Sequence, residues 1–334
     1  MYKISLKFIK QLYVSFTNWL VSHIPPDEMN DICLIRLDEL GDFVIWLDSA
    51  KEFRNLYPNR KITLIVNEKW KDLAETLSYW DEVISIDTTK FRFNIFYRIK
   101  YLAFIRHQGF NTVICPRYSV QYLLEPGLIA ISGAEHKIIY AGSFPLEKKN
   151  YYTQVTSFPK QTHELNRNAD FMRELGLKDF KSTVPKLNFK TTQGDYIVVS
   201  PTSLRKRKEW STPKFNILIC KIELETGLKV IICSDKKIDT MPFGENYSGK
   251  TTVMQFIQII ANAKLVIAND SAAIHIASAC DVPSVCIGSE RYARFVPYEI
   301  EIPREGMILP KLVYREHIED ITVEEVFKAV KEIL

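Results

Sequence analysis

A chain of 334 residues with 46% apolar and 25% charged side chains has an ordinary globular composition but exceeds the usual size of one hydrophobic core, which predicts two domains and excludes a disordered or polytopic membrane protein. The net charge of +4 is too small to mark a nucleic-acid binder. The six cysteines stand in apolar contexts without a Cys-x-x-Cys pair or a histidine at metal-ligand spacing, so they read as buried thiols of a reducing cytoplasm, with no metal.

Residues 1–26 open the chain with Ile4, Phe8, Leu12, Phe16, Trp19 and Leu20 at helical spacing and Lys3, Lys7 and Lys10 on another face. The lysines break any run able to span a bilayer, and no small-residue cleavage site follows. Two readings stay open: residues 1–24 lie at a membrane interface beside anionic lipid, or the helix packs on its own domain.

After Pro25-Pro26, a domain over 27–185 begins with a buried strand at 31–37. The turn Asp38-Glu39-Leu40-Gly41-Asp42 leads into a helix that runs through Ala50, Phe53 and Leu56. Strands are predicted at 62–66, 83–86, 112–115 and 137–140, with helices at 70–77, 94–106 and 120–131 between them. This is the alternation of a doubly wound α/β domain. Asp38, Glu39 and Asp42 are either helix-capping anions or, for one of them, a general base toward a hydroxyl.

The alternation lapses between 140 and 196, in the polar stretch 147–168 and a helix ending near Gly176. It resumes in a second domain, 186–320, with strands at 196–199 and 229–233 and helices at 213–223 and 253–261. Residues 265–288 then read LVIANDSAAIHIASACDVPSVCIG, a strand, a helix and a second strand. Asn269, Asp270 and Ser271 are three candidate N-caps. The small residues Ser271, Ala272 and Ala273 at a helix start suit a phosphate as well as an ordinary core helix. The basic run Ser200 to Trp210 is either a solvated loop or a clamp for a diphosphate. Asp235 ends another strand, as a turn residue or a ribose ligand. A capped amphipathic helix at 321–334, with Thr322 before Val323, Val326, Phe327, Val330 and Ile333, closes the chain.

Two of these stretches carry a resemblance. Ile35-Arg36-Leu37-Asp38-Glu39-Leu40-Gly41-Asp42 resembles the opening of glycosyltransferase family 9, the ADP-heptose:lipopolysaccharide heptosyltransferase family. Residues 269–277, Asn-Asp-Ser-Ala-Ala-Ile-His-Ile-Ala, resemble its second-domain signature, and His163-Glu164-Leu165-Asn166-Arg167 is similar to an intermediate feature. The resemblance spans about residues 31 to 300.

It implies a GT-B fold, two Rossmann-like domains facing across a cleft. It also implies a metal-independent, inverting transfer of a sugar from a nucleotide diphosphate, an ADP-sugar first, to a hydroxyl of a glycan or glycolipid acceptor. The acceptor would be bound by 27–185 and the nucleotide sugar by 186–320. Asp42 matches the catalytic base, with Gly41 before it, and Asp38 and Glu39 become turn or cap residues. Thr202, Lys208, Asp270, Ser271, Ala272 and Ala273 match the donor-diphosphate site. His275 would support it, and Asp235 would meet the ribose or base. No cofactor beyond the donor is expected.

The implied setting is bacterial surface-glycan synthesis, such as lipopolysaccharide core, in the cytoplasm at the inner face of the cytoplasmic membrane. Rivals are a nucleotide-sugar epimerase on the same scaffold and a non-catalytic nucleotide-binding module. The sequence departs from the family at Ala272, where many members have glycine, and at 288–298, where only Gly288 remains of a loop richer in glycine in some members.

Overall fold

Short aliphatic and β-branched runs form strands because a parallel sheet covered on both faces leaves no polar side to supply. In the computed structural model, which describes residues 6–27, 31–118, 120–140, 154–156, 163–189, 191–289 and 304–334, these runs build two six-stranded sheets. The first contains β1 (Ile32–Arg36), β2 (Ile62–Asn67), β3 (Glu82–Ile86), β4 (Thr112–Cys115), β5 (His136–Tyr140) and β6 (Gln154–Thr156), all parallel in the order β3-β2-β1-β4-β5-β6. The second contains β7 (Tyr196–Ser200), β8 (Lys229–Ile232), β9 (Glu245–Asn246), β10 (Leu265–Asn269), β11 (Ser284–Ser289) and β12 (Lys311–Arg315), parallel in the order β12-β11-β10-β7-β8-β9. Counted from its own first strand, each sheet has the doubly wound order 3-2-1-4-5-6. The direction of winding reverses between β1 and β4 in one sheet and between β7 and β10 in the other.

The helices are α1 (Leu6–Val21), α2 (Leu40–Ala50), α3 (Glu52–Leu56), α4 (Lys71–Glu75), α5 (Thr88–Phe93), α6 (Ile95–His107), α7 (Glu125–Ile131), α8 (Glu164–Glu174), α9 (Thr212–Thr226), α10 (Val253–Ala261), α11 (Ala272–Ala279) and α12 (Val323–Lys331). The chain forms two compact units. One comprises Met1–Glu39, Ser49–Thr162 and Asn166–Lys181, and the other Leu40–Asp48, His163–Leu165 and Ser182–Leu334. Most of α2 therefore belongs to the unit of the second sheet. Its Ile45 packs with Leu165 and Val184, and its Asp48 carboxylate accepts the Thr183 N–H at 2.7 Å.

Strands at the sheet centres fall where the apolar runs predict them, whereas β6, β9 and β12 do not stand out in the sequence. β9 has two residues, and β12 is an edge strand with exposed ends, so neither carries a full hydrophobic run. The helix predicted over 120–131 starts only at Glu125. Residues before it are held in a loop by the Glu125 carboxylate, which takes the Gln121 N–H at 2.8 Å and the Arg117 guanidinium, and Pro126 then opens the first turn.

The N-terminal helix is turned over relative to its obvious apolar stripe. Val14, Thr17 and Val21 are buried, and Phe8, Leu12, Phe16 and Trp19 face out. Arg98, itself buried in α6, accounts for this choice. Its Nε–H donates to Thr17 Oγ1 at 2.9 Å and its guanidinium lies over the Tyr13 ring, so the inward face must supply polar partners. Among the described residues no helix is long and apolar enough to cross a membrane. All six cysteines are free thiols, five of them buried, and burial pushes Cys233 and Cys280 up to about 12.

Candidate functional site

At the reversal point of the second sheet, the carboxyl ends of β7 and β10 lie side by side and deliver two loops to one crevice. The loop after β7 carries the basic run, and the one after β10 is only Asp270-Ser271 before α11 begins. Three residues that look alike as N-caps do three different jobs here. Asn269, fully buried, donates through Nδ2 to Pro201 O at 2.6 Å and accepts the Trp210 N–H at 2.9 Å, so one amide holds both ends of the basic loop. Trp210 is in turn fixed by its indole N–H on Ile321 O at 2.9 Å and edge-on packing against Phe215. Asp270 forms a buried ion pair with Lys208 Nζ. Only Ser271 sits at the N-cap position, in extended conformation. Its hydroxyl makes no capping bond and has no hydrogen-bond partner among the described residues, although its oxygen is buried.

The electrostatics follow from this packing. Burial raises the Asp270 carboxyl above its ordinary value, and the Lys208 ammonium opposes that rise. An anion cannot itself accept a phosphate, so Asp270 suits the task of holding the Lys208 ammonium beside the start of α11. The N–H groups of Ala272 and Ala273 belong to the first helical turn and have no acceptor within the helix. They, the Ser271 hydroxyl and Lys208 together make a cradle for an anion. Thr202 and Asp235 meet each other, the Thr202 hydroxyl donating to Asp235 Oδ1 at 3.4 Å. Asp235 is exposed in a turn that the Ser234 hydroxyl closes on Lys236 O.

His275 lies one turn into α11 and is buried. Burial first, then Lys208 and His163, bring its pKa down to about 3, so the imidazole is neutral at physiological pH and adds no positive charge to the cradle. Unfolding would return it to its ordinary value of 6.5. Between pH 6.5 and 3 the unfolded chain therefore binds a proton that the folded chain refuses. The stability at stake is fully present above 6.5 and is lost as pH falls toward 3, at about 1.4 kcal/mol per pH unit. Asp270, with its raised value, contributes with the opposite sign but is common to both proteins in the following comparison. His275→Gln should flatten the acid limb of stability, measured by urea midpoints from pH 6.5 downward; equal slopes in the two proteins would contradict a buried neutral imidazole.

The start of α2 lies directly on this helix start. A Cβ placed on Gly41 would stand 3.0 Å from His275 Cδ2 and 3.4 Å from Ala272 Cα, so glycine is needed there for close approach. Asp42 follows in the first turn of α2, half-buried. Its neighbour Asp38, expected as a turn or cap residue, stands in the bend before α2, where it is 2% exposed and ion-paired with Arg36 Nε at 2.8 Å, with Arg117 Nε at 3.8 Å. The pairing has a physical cause. Arg36 lies in a fully buried strand and needs an anion close at hand. Glu39 is exposed.

Gly288 lies against Tyr314, and a Cβ there would stand 2.6 Å from Tyr314 Cζ. The rest of the 288–298 loop, from residue 290, lies outside the described residues, as does most of 147–168. Among the described residues no group of His, Cys, Asp and Glu is arranged to hold a metal ion.

The structure thus brings Gly41, Lys208, Asp270, Ala272 and His275 together at the start of α11, with Ser271 and Ala273 in the same turn. The clamping role of Asn269 has no signal in the sequence, because an Asn before an Asp at a helix start reads as a cap. The Arg36 partner network did have one, an arginine inside a buried strand.

Comparisons with known proteins agree with this architecture. The model of glycosyltransferase family 9 (heptosyltransferase) matches residues 137–302, which include Lys208 and Asp270 but end short of Gly41 and Asp42 on the N-terminal side. No protein of curated function matches the sequence. Among solved structures, the chain is similar to the glycosyltransferase family 9 protein of Veillonella parvula DSM 2008, with TM-score 0.71 and 17% identity over 92% of this chain and 97% of that one. It is similar to the E. coli heptosyltransferase WaaC solved with ADP, with TM-score 0.70 and 14% identity over 91% of this chain and 100% of that one. It is also similar to the E. coli ADP-heptose lps heptosyltransferase II, with TM-score 0.69 and 15% identity over 91% of this chain and 98% of that one. At these identities the likeness establishes the fold, two Rossmann-like halves of GT-B type. The family model and the solved structures agree: over residues 137–302 the chain matches glycosyltransferase family 9, the heptosyltransferase family, and over nine-tenths of its length it has the fold of that family's solved members.

Proposed function

We propose that this glycosyltransferase moves a heptose or related sugar from an ADP-sugar to a hydroxyl of a bacterial surface glycan such as lipopolysaccharide core, with inversion and without a metal ion. The observation that carries the reading is the contact of Gly41 with Ala272 and His275, which sets the Asp42 turn against the anion cradle of α11.

In this mechanism Asp42 removes the proton of the acceptor hydroxyl as its oxygen bonds to the anomeric carbon. The bond from that carbon to the diphosphate breaks on the opposite side, and the nucleoside diphosphate leaves. Lys208 and the N–H groups of Ala272 and Ala273 stabilise the charge that grows on the leaving diphosphate, and Asp270 keeps the lysine in place. A phosphate oxygen would also give the Ser271 hydroxyl the partner it lacks, recovering a desolvation cost of about 1–3 kcal/mol. Thr202 is a second diphosphate ligand and Asp235 a ribose ligand. Residues 27–185 hold the acceptor and 186–320 the nucleotide sugar. The enzyme works in the cytoplasm, at the inner face of the cytoplasmic membrane, which residues 1–24 touch.

The nearest support for the donor is that the similar WaaC was solved with ADP and with ADP-2-deoxy-2-fluoro heptose. The test is to supply ADP-heptose with an outer-membrane glycolipid lacking its heptose. The expected outcome is one ADP released for each sugar gained by the glycolipid. Release of an isomerised sugar, with the glycolipid unchanged, would move the protein to the epimerases, and no turnover of any nucleotide sugar would leave only a binding module.

A further inference from the structure

An α-helix that packs on a globular core normally turns its polar residues outward. α1 does the reverse. Opposite the buried face of Val14, Thr17 and Val21, it exposes Phe8, Ile9, Leu12, Phe16, Trp19 and Leu20, each between 40% and 59% accessible. A second exposed stripe lies on its neighbour α6, where Phe96 is 82% and Phe104 42% accessible with the exposed Lys100 between them at helical spacing. Phe93, at the end of α5, is 76% accessible. These nine account for most of the large exposed apolar side chains among the described residues.

The register of the two helices puts the stripes together. Thr17 bonds Arg98 at 2.9 Å and the carbonyl of Ile24 accepts from Arg106, so α1 and α6 run parallel and side by side. Both bury their opposite faces in one core cluster, Val21 from α1 with Leu102 and Ile105 from α6. Their outward faces therefore share one side of the first unit. The parallel register sets Phe96, two residues before Arg98, about level with Phe16, one residue before Thr17, and Phe93 precedes it at the end of α5.

Charge chooses among occupants. Residues 1–26 contain Lys3, Lys7 and Lys10 and no acidic residue. On α5 and α6, Lys100 is exposed, Lys90 is exposed and paired with Asp87 at 3.1 Å, and residues 88–107 contain no acidic residue. A second copy of the same face would bring like charges together, whereas an anionic bilayer would accept the aromatic side chains and attract the lysines.

We infer that α1 and the α5–α6 hairpin form one composite surface that docks on an anionic phospholipid bilayer, with Phe93 and Phe96 inserting alongside Phe16 and Trp19. This rests on the membrane reading of residues 1–24 and extends it to a second segment. Deleting α1 would be a poor test, because it would leave Arg98 without Thr17, so the full chain with surface substitutions is used.

The experiment is co-sedimentation with vesicles of phosphatidylcholine alone and of phosphatidylcholine with phosphatidylglycerol, together with the oligomeric state in solution. Wild-type protein should pellet with the mixed vesicles, less with neutral ones, and less at high salt. Phe16→Glu/Trp19→Glu should abolish binding, and Phe96→Glu alone should weaken it by about tenfold, all with unchanged thermal melting. If Phe96→Glu binds as wild type while the α1 variant does not, the composite surface is refuted and the α1 reading stands. Should the α1 variant bind as wild type, both fail. Equal binding to neutral vesicles would refute the choice of anionic lipid, and a dimer dissolved by these substitutions without vesicle binding would assign the face to a second copy of the chain.

Discussion

Asp42→Asn should lower the turnover of sugar transfer by roughly 10²–10⁴ while leaving ADP affinity nearly unchanged. The substitution keeps the size and shape of a half-buried side chain in the first turn of α2, so Gly41 can still lie against Ala272 and His275. What it removes is the capacity to accept a proton at neutral pH. The competing role is electrostatic, a carboxylate stabilising the N-terminus of α2, which is worth about 0.3–1 kcal/mol and would show as a small loss of stability with no loss of rate. Initial rates and calorimetry with ADP separate the two. Retention of most of the wild-type rate would remove Asp42 from the chemistry.

The second large effect is expected at Lys208, and it has two parts that one substitution cannot distinguish. Lys208→Met leaves the Asp270 carboxylate buried without its ammonium, and breaking one half of a buried ion pair costs about 3–5 kcal/mol. The variant should therefore unfold at a lower urea concentration, and weak activity in it would be ambiguous. Lys208→Met/Asp270→Asn removes both charges and should recover most of the lost stability, because a neutral amide no longer needs the ammonium. If Lys208 serves the leaving diphosphate, the recovered protein stays inactive. An active double variant would make the pair purely structural.

Much of the fold was legible because buried parallel strands leave a plain mark: β1, β2, β4, β7, β10 and β11 are mostly apolar runs, and α12 announces itself by Thr322, which closes a capping box. The strands that escaped are short or at a sheet edge, where only some residues are buried. Lys208, Asp270 and His275 could be picked out through the family resemblance, and the structure adds how they are arranged. The sequence treats Asn269, Asp270 and Ser271 as equivalent caps; their separation into a loop clamp, an ion-pair partner and a cap position depends on Pro201, Trp210 and Lys208, which are about 60 residues away in the chain and are brought near by the reversal of strand order. The orientation of α1 was hidden for the same reason, since the residue that decides it, Arg98, lies in another helix.

The claim on which the rest depends is that the start of α11, with Lys208, holds the donor diphosphate. Calorimetric titration of ADP into the wild-type chain and into the Lys208→Met/Asp270→Asn variant tests it most directly. One ADP should bind per wild-type chain, with affinity at least tenfold weaker in the variant, the cost of losing one charge-assisted hydrogen bond to phosphate. Equal affinity in two equally stable proteins would contradict it.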